Sequence, residues 1–133
     1  MRNAAIFLYS CRMKPGNKTV GPRLRIVLDP GVALGPGKVD LLAGIEATGS
    51  IAAAGRGLGM SYKRAWGLVE EMNLDFGAPV ARTSKGGRTY GGAELTETGK
   101  AILTLYRRME ASAAAAIEDD MAALRALKRT GQE

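Results

Sequence analysis

From Ser50 to Phe76 the chain reads SIAAAGRGLGMSYKRAWGLVEEMNLDF, two apolar-periodic stretches joined at Gly59. Ser50 is a good N-cap residue, and Ile51, Ala54 and Leu58 share one face of the helix it would open, which stops at Gly59. Ser61 can cap a second helix, whose apolar side runs Tyr62, Ala65, Val69, Met72 and Phe76 at the three-and-four spacing of a buried stripe. Helices linked by so short a glycine-containing turn must cross closely. Ala52, Ala53, Ala54, Gly55 and Gly57 leave room for that crossing, although each glycine costs about 1 kcal/mol of helix propensity relative to alanine. The stretch reads as a helix-turn-helix, and a chain containing one must build the rest of its fold to present it.

The charge order of the second helix points to its partner. Lys63 and Arg64 stand in the first turn, whereas Glu70, Glu71 and Asp75 follow toward the end. Both placements oppose the helix dipole, at roughly 0.3 to 1 kcal/mol each, so folding stability does not favour this order. A helix that offers cations and free backbone N–H groups at its N-terminus is suited to an anion, and in a helix-turn-helix that end points at DNA. The alternative is a solvated face with no such purpose. On helix geometry Tyr62, Lys63, Arg64 and Gly67 lie on the outward, N-terminal part and can reach base edges or phosphates. Arg64 is the best base reader, because its fork matches guanine O6 and N7, while Lys63 serves equally at a phosphate. Arg56, Lys85 and Arg88 suit backbone contacts, and Trp66 suits the core or support of the wing described below.

Composition bounds the other readings. The 133 residues suffice for one domain, and 46% hydrophobic with 24% charged content is ordinary for a globular protein. A net charge of +6 favours nucleic acid or an anionic surface. No apolar run approaches the ~20 residues of a membrane span. A single cysteine, Cys11, forms no intrachain disulfide and fits a reducing cytoplasm. With no histidine, the commonest general base and transition-metal ligand are missing, so neither a His-based catalytic site nor a Cys/His zinc site is expected. No metal or cofactor is expected.

Residues 1–22 read as a basic N-terminal tail rather than a signal peptide, since the apolar stretch from Ala4 is short and Arg12 and Lys14 follow at once. Arg23 to Asp29, RLRIVLD, alternates as an edge strand with Leu24, Ile26 and Leu28 inward. Pro30, Gly31, Gly35, Pro36 and Gly37 mark a loop, and a helix from about Lys38 to Ala47 presents Leu41, Leu42 and Ile45 to a core behind the helix pair. Gly37-Lys38 followed by Val39 is not a phosphate-binding loop, and Gly55, Gly57 and Gly59 lack dinucleotide-fingerprint spacing.

After Phe76, Pro79 to Arg82 reads as a strand, Ser84 to Gly92 as a glycine-studded loop, and Ala93 to Leu95 as the returning strand. This hairpin is a wing whose loop brings Lys85, Arg88 and Tyr90 within reach of phosphates or a minor groove; the alternative is a hairpin tip with solvated charges. Thr96 caps a last helix with the stripe Ile102, Tyr106, Met109, Ala113, Ile117, Met121 and Leu124. About thirty residues extend roughly 45 Å, beyond any core this small, so the stripe is read as a homodimer seam. The expected architecture is mainly α with a small β wing: a winged helix-turn-helix over residues 23–95 and a long dimerisation helix with a short tail over 96–133.

These stretches resemble a known family. GPGK from Gly35, LLAGIEATGSIAAAGRGLGMSYKRAW from Leu41 and GGRTYGGAELTETG from Gly86 are similar to the N-terminal DNA-binding domain of ModE-type molybdate-responsive transcriptional regulators. The helix-turn-helix alone also resembles LysR-type regulators; MSYKRAW together with the wing is the specific combination. The resemblance implies a winged helix, a dimer joined through its long helices, and Ser61 to Trp66 lying over the major groove. The expected function is a sequence-specific transcriptional regulator binding an inverted-repeat operator in double-stranded DNA. The rival readings are a protein-interaction module or a non-specific DNA-binding protein that uses the long helix for assembly. Members of the family often carry a molybdate-binding module after the long helix. Here Thr130, Gly131 and Gln132 near the last residue, Glu133, form no oxyanion pocket, so an effector is expected to act through a separate effector-binding protein or through abundance.

Overall fold

The computed structural model describes residues 19–84 and 92–128. Its compact unit Leu24–Met109 contains β1 (Ile26–Asp29), β2 (Val32–Leu34), α1 (Pro36–Thr48), α2 (Ile51–Gly57), α3 (Tyr62–Phe76), β3 (Ala81–Thr83), β4 (Ala93–Leu95) and the first part of α4 (Glu97–Ala116). Beyond it, α4 runs on to Ala116 and is followed by α5 (Glu118–Leu127).

The strands form separate two-stranded antiparallel hairpins, β1 with β2 and β3 with β4. The first corrects the sequence reading, which assigned Pro30 to Gly37 wholly to a loop. Gly31 turns the chain at φ +85°, Ile26 pairs with Leu34 and Val27 with Ala33. The register shifts between Val27 and Asp29, and Leu28 is consequently exposed rather than inward. Leu24 and Ile26 do pack against the core.

α1 begins two residues earlier than expected, because Pro36 fits the first helical position, where a missing N–H costs nothing. It ends at Gly49, in the left-handed region at φ +73°. Val39, Leu41, Leu42 and Ile45 are fully buried. Gly44 lets α1 and α2 meet: a Cβ there would lie 2.8 Å from that of Ala54. Gly55 does the same for α2 and α3, where a Cβ would lie 3.0 Å from that of Ala65. The small residues of α2 therefore set the crossing, as the sequence suggested. Leu58 is the exception, exposed at the helix end instead of sharing the face of Ile51 and Ala54.

The core joins these residues to Leu68, Val69 and Met72 of α3, to Val80 and Leu95 of the second hairpin, and to Ile102, Leu103 and Tyr106 of α4. Thr96 caps α4 through Oγ1, which accepts the Gly99 N–H at 3.1 Å and donates to the Pro79 carbonyl at 2.7 Å. The Tyr106 hydroxyl donates to the Leu24 carbonyl.

Two expectations for the C-terminal helix are corrected. Ile102 and Tyr106, assigned to a dimer seam, are 6% and 0% exposed within the domain's own core. Nor is the helix uninterrupted: Ile117, at φ −103° and ψ 10°, separates α4 from α5. Glu118, Asp119 and Asp120 then form the first turn of α5, where acids favour a helix N-terminus, so local charge supports a restart at this point.

Candidate nucleic-acid interface

α3 is positioned by its cap and its buried side. Ser61 Oγ accepts the Arg64 N–H at 3.1 Å, and Gly77 closes the far end in the left-handed region. Ala65, Leu68, Val69 and Met72 are buried. Leu68 thus takes a place in the stripe that the sequence reading gave to Tyr62, which is 60% exposed; Phe76 is only half-buried. Three- and four-residue spacing from Ala65 leads equally to Leu68 and Val69, so the stripe runs on that side of the helix and Tyr62 turns outward.

Ser61, Tyr62, Lys63, Arg64 and Gly67 form the exposed N-terminal face of α3. Tyr62 meets Trp66 edge-to-face, with ring centroids 6.3 Å apart, and Trp66 itself packs partly into the core. Trp66 therefore supports the outward tyrosine. Gly67 lies mid-helix with nothing within 4 Å of a Cβ added there, so packing within the domain does not require a glycine. A bare backbone on this face leaves room for close approach by another molecule. Arg56 is exposed in the last turn of α2. Lys85 and Arg88, the wing cations, lie outside the described residues, as do residues 1–18 of the basic tail and Thr130, Gly131 and Gln132.

The acids of α3 have a structural use that the sequence did not reveal. Lys38 Nζ, only 12% exposed, lies 3.2 Å from Glu71 Oε2 and 3.8 Å from Asp75 Oδ2, and donates to the Ala33 carbonyl at 2.9 Å. This cluster ties the first turn of α1 and the β1–β2 hairpin to the later half of α3. It offsets the unfavourable dipole placement of Glu71 and Asp75, whereas among the described residues Glu70, Lys63 and Arg64 take part in no such pair.

Behind α3, β3 and β4 pair Ala81 with Leu95, Arg82 with Glu94 and Thr83 with Ala93. The ladder extends to Ser84, whose N–H donates to the Gly92 carbonyl at 3.0 Å. Arg82 and Glu94 form an exposed cross-strand ion pair at 3.1 Å. The Ala93 N–H donates to the Gly49 carbonyl at 2.8 Å, fixing the hairpin to the end of α1. Among the described residues no group of three or more His, Cys, Asp or Glu could hold a metal ion, and no helix is long and apolar enough to cross a membrane.

A tri-helical core, a helix pair crossing at small residues and a hairpin directly after the second helix of that pair together define a winged helix. Solved structures agree on the fold: the DNA complex of the CbnR DNA-binding domain has a TM-score of 0.53 at 24% identity over 66% of this chain and 95% of that one. CbnR, a LysR family transcriptional regulator, gives 0.51 at 23% identity over 65% of this chain and 28% of that one.

The sequence relatives are more particular. The chain is 45% identical over 84 residues to the molybdenum-pterin-binding protein MopB of Rhodobacter capsulatus, covering 63% of this chain and 31% of that protein. It is 38% identical over 88 residues to the molybdenum transport protein ModE of Azotobacter vinelandii, covering 66% and 33% respectively. The DNA-binding transcriptional dual regulator ModE of Escherichia coli K12 is 37% identical over 71 residues, 53% of this chain and 27% of that protein. The chain is thus homologous to ModE and MopB proteins over much of its length, while spanning only about a third of theirs. No known family profile matches it.

Proposed function

We propose that this chain is a sequence-specific DNA-binding transcriptional regulator that grips an inverted-repeat operator as a homodimer. The observation that carries the reading is the division of α3. Its buried residues anchor the helix, and the residues opposite, Ser61 to Arg64 and Gly67, are exposed and include two cations that the fold does not need. In this reading α3 lies in the major groove, with Arg64 reading a guanine edge and Tyr62 and Lys63 contacting bases or phosphates. Arg56, Lys85 and Arg88 contact the backbone and set the register. The names of the ModE relatives and the basic balance of +6 support DNA as partner.

Dimerisation is assigned to the stripe beyond the domain core. Met109 and Leu124 are exposed, and Ala113, Ile117 and Met121 are half-buried, at helical spacing along α4 and α5. A two-fold dimer presents two recognition helices, so its operator holds inverted half-sites. Selection of bound duplexes from random DNA tests the proposal. An enriched motif with two inverted half-sites is expected; no enriched sequence would favour a non-specific DNA-binding protein, and no binding would favour an interaction module.

A further inference from the structure

On the side of α3 that faces the first hairpin there is a concavity of about 380 Å³, lined by residues of β1 and β2, the start of α1 and the outer edge of α3. Arg25, Lys38, Arg64 and Glu71 are its charged residues. Glu71 is paired with Lys38 at 3.2 Å, so the net positive charge comes from the two arginines. Both are exposed, and among the described residues neither is in an ion pair. Gly31, Gly35 and Gly37 line the same hollow, together with the apolar Val27, Val32, Ala33 and Leu68. Arg25 has a defined seat there: its Cγ would lie 3.8 Å from a Cβ added at Gly35.

We propose that this concavity is a second DNA-backbone site, in which Arg25 binds a phosphate flanking the stretch read by α3. The inference rests on the DNA-binding reading above. Arg64 belongs to both surfaces, since it lies on the exposed N-terminal face of α3 and also lines the hollow. A strand passing α3 on the hairpin side therefore meets the guanidinium of Arg25, the residue just before β1, before it leaves the protein. Guanidinium matches the geometry of a phosphate fork-to-fork, and the three glycines in the lining leave backbone open to close approach by the tetrahedral group. The hairpin then has a role separate from that of the wing: each flanks the recognition helix, and each addresses backbone rather than bases.

The test uses the 133-residue chain and a duplex recovered by selection, in a long form and in a form trimmed on either flank. Arg25→Gln should weaken binding to the long duplex and make the slope of log affinity against log salt shallower by about 0.9, the value for one lost phosphate contact. Sequence preference should not change, Arg25→Lys should restore most of the slope, and trimming the flank should abolish the difference between wild type and Arg25→Gln. An unchanged slope in Arg25→Gln, with binding lost in Lys63→Gln and Arg64→Gln, would overturn the hairpin site and leave the DNA-binding reading intact. Full binding by all three variants would overturn both. Inorganic phosphate at fixed ionic strength provides the remaining arm. If phosphorus NMR shows it bound by wild type and lost in Arg25→Gln while the DNA slope is unaltered, the hollow holds a free anion and the DNA contact is refuted.

Discussion

The side-chain carbonyl of Asn73, on α3, accepts the backbone N–H of Val80 at 2.8 Å, and the Val80 carbonyl accepts the Thr96 N–H at 3.0 Å. Both backbone polar atoms of a fully buried residue at the foot of the wing are therefore satisfied, one of them by α3 itself. Asn73→Ala should leave the Val80 N–H buried without an acceptor, at a cost of about 1–3 kcal/mol. Asn73→Asp keeps an acceptor and should lose less. Chemical denaturation of both variants checks the order, and equal losses would mean that burial of the side chain, not the hydrogen bond, is what matters.

Changing Lys63 and Arg64 to Ala should separate binding from folding. Both oppose the dipole of α3 by about 0.3–1 kcal/mol each, so the double variant should unfold at the wild-type temperature or slightly above it. Its affinity for a selected operator should fall strongly, a bidentate base contact alone being worth about 1–3 kcal/mol of discrimination. Unaltered operator affinity in an electrophoretic shift titration would remove α3 from the interface.

Two glycines should respond in opposite directions. A Cβ on Gly99 would overlap the Val80 carbonyl oxygen, and neither backbone can yield, so Gly99→Ala should destabilise by about 1–3 kcal/mol or more. Gly67 has open space around it, and Gly67→Ala should stabilise by roughly 1 kcal/mol through helix propensity while weakening DNA binding by filling the approach to the groove. Thermal melts and DNA titrations of the pair test this; a Gly67→Ala variant that binds at full strength would show that DNA does not come close there.

Asp placed at both Ile117 and Met121 would put charge into the proposed seam. The variant should sediment as a monomer and bind an inverted-repeat operator without cooperativity, with the domain up to Met109 still folded. A dimeric variant would place the interface elsewhere, with the exposed Val27 and Leu28 of β1 the next surface to test.

The parts of this molecule legible in the sequence are those set by neighbours in the chain. Ser50, Ser61 and Thr96 cap helices as their positions suggest, because capping is decided within three residues. The returning wing strand, Ala93–Leu95, was readable to the residue, whereas the strand expected over Pro79 to Arg82 is Ala81–Thr83. β2 was not readable, since three residues between Gly31 and Gly35 are too few to show alternation. Lys38 and Glu71 lie 33 positions apart, so the charge order of α3 looked more anomalous in sequence than it is in space. The stripe along α4 was read correctly as apolar, but periodicity does not say whether its partner is the same chain or a second one. Ile102 and Tyr106 proved to face the domain's own core.

The hydrogen bond from Tyr106 to the Leu24 carbonyl spans 82 positions and joins the first residue of the unit Leu24–Met109 to its last helical turn. Topologically the domain is a closed ring with a clasp, and the clasp rather than either chain end defines where the ring is complete. A circular permutant, cut at the exposed Pro30-Gly31 turn and rejoined by a short linker across the clasp, keeps every core residue in its place. The same closure makes the domain a cassette: spliced into a surface loop of an unrelated host, its entry at Leu24 and its last helical stretch at Tyr106 would stand one tyrosine side chain and one hydrogen bond apart.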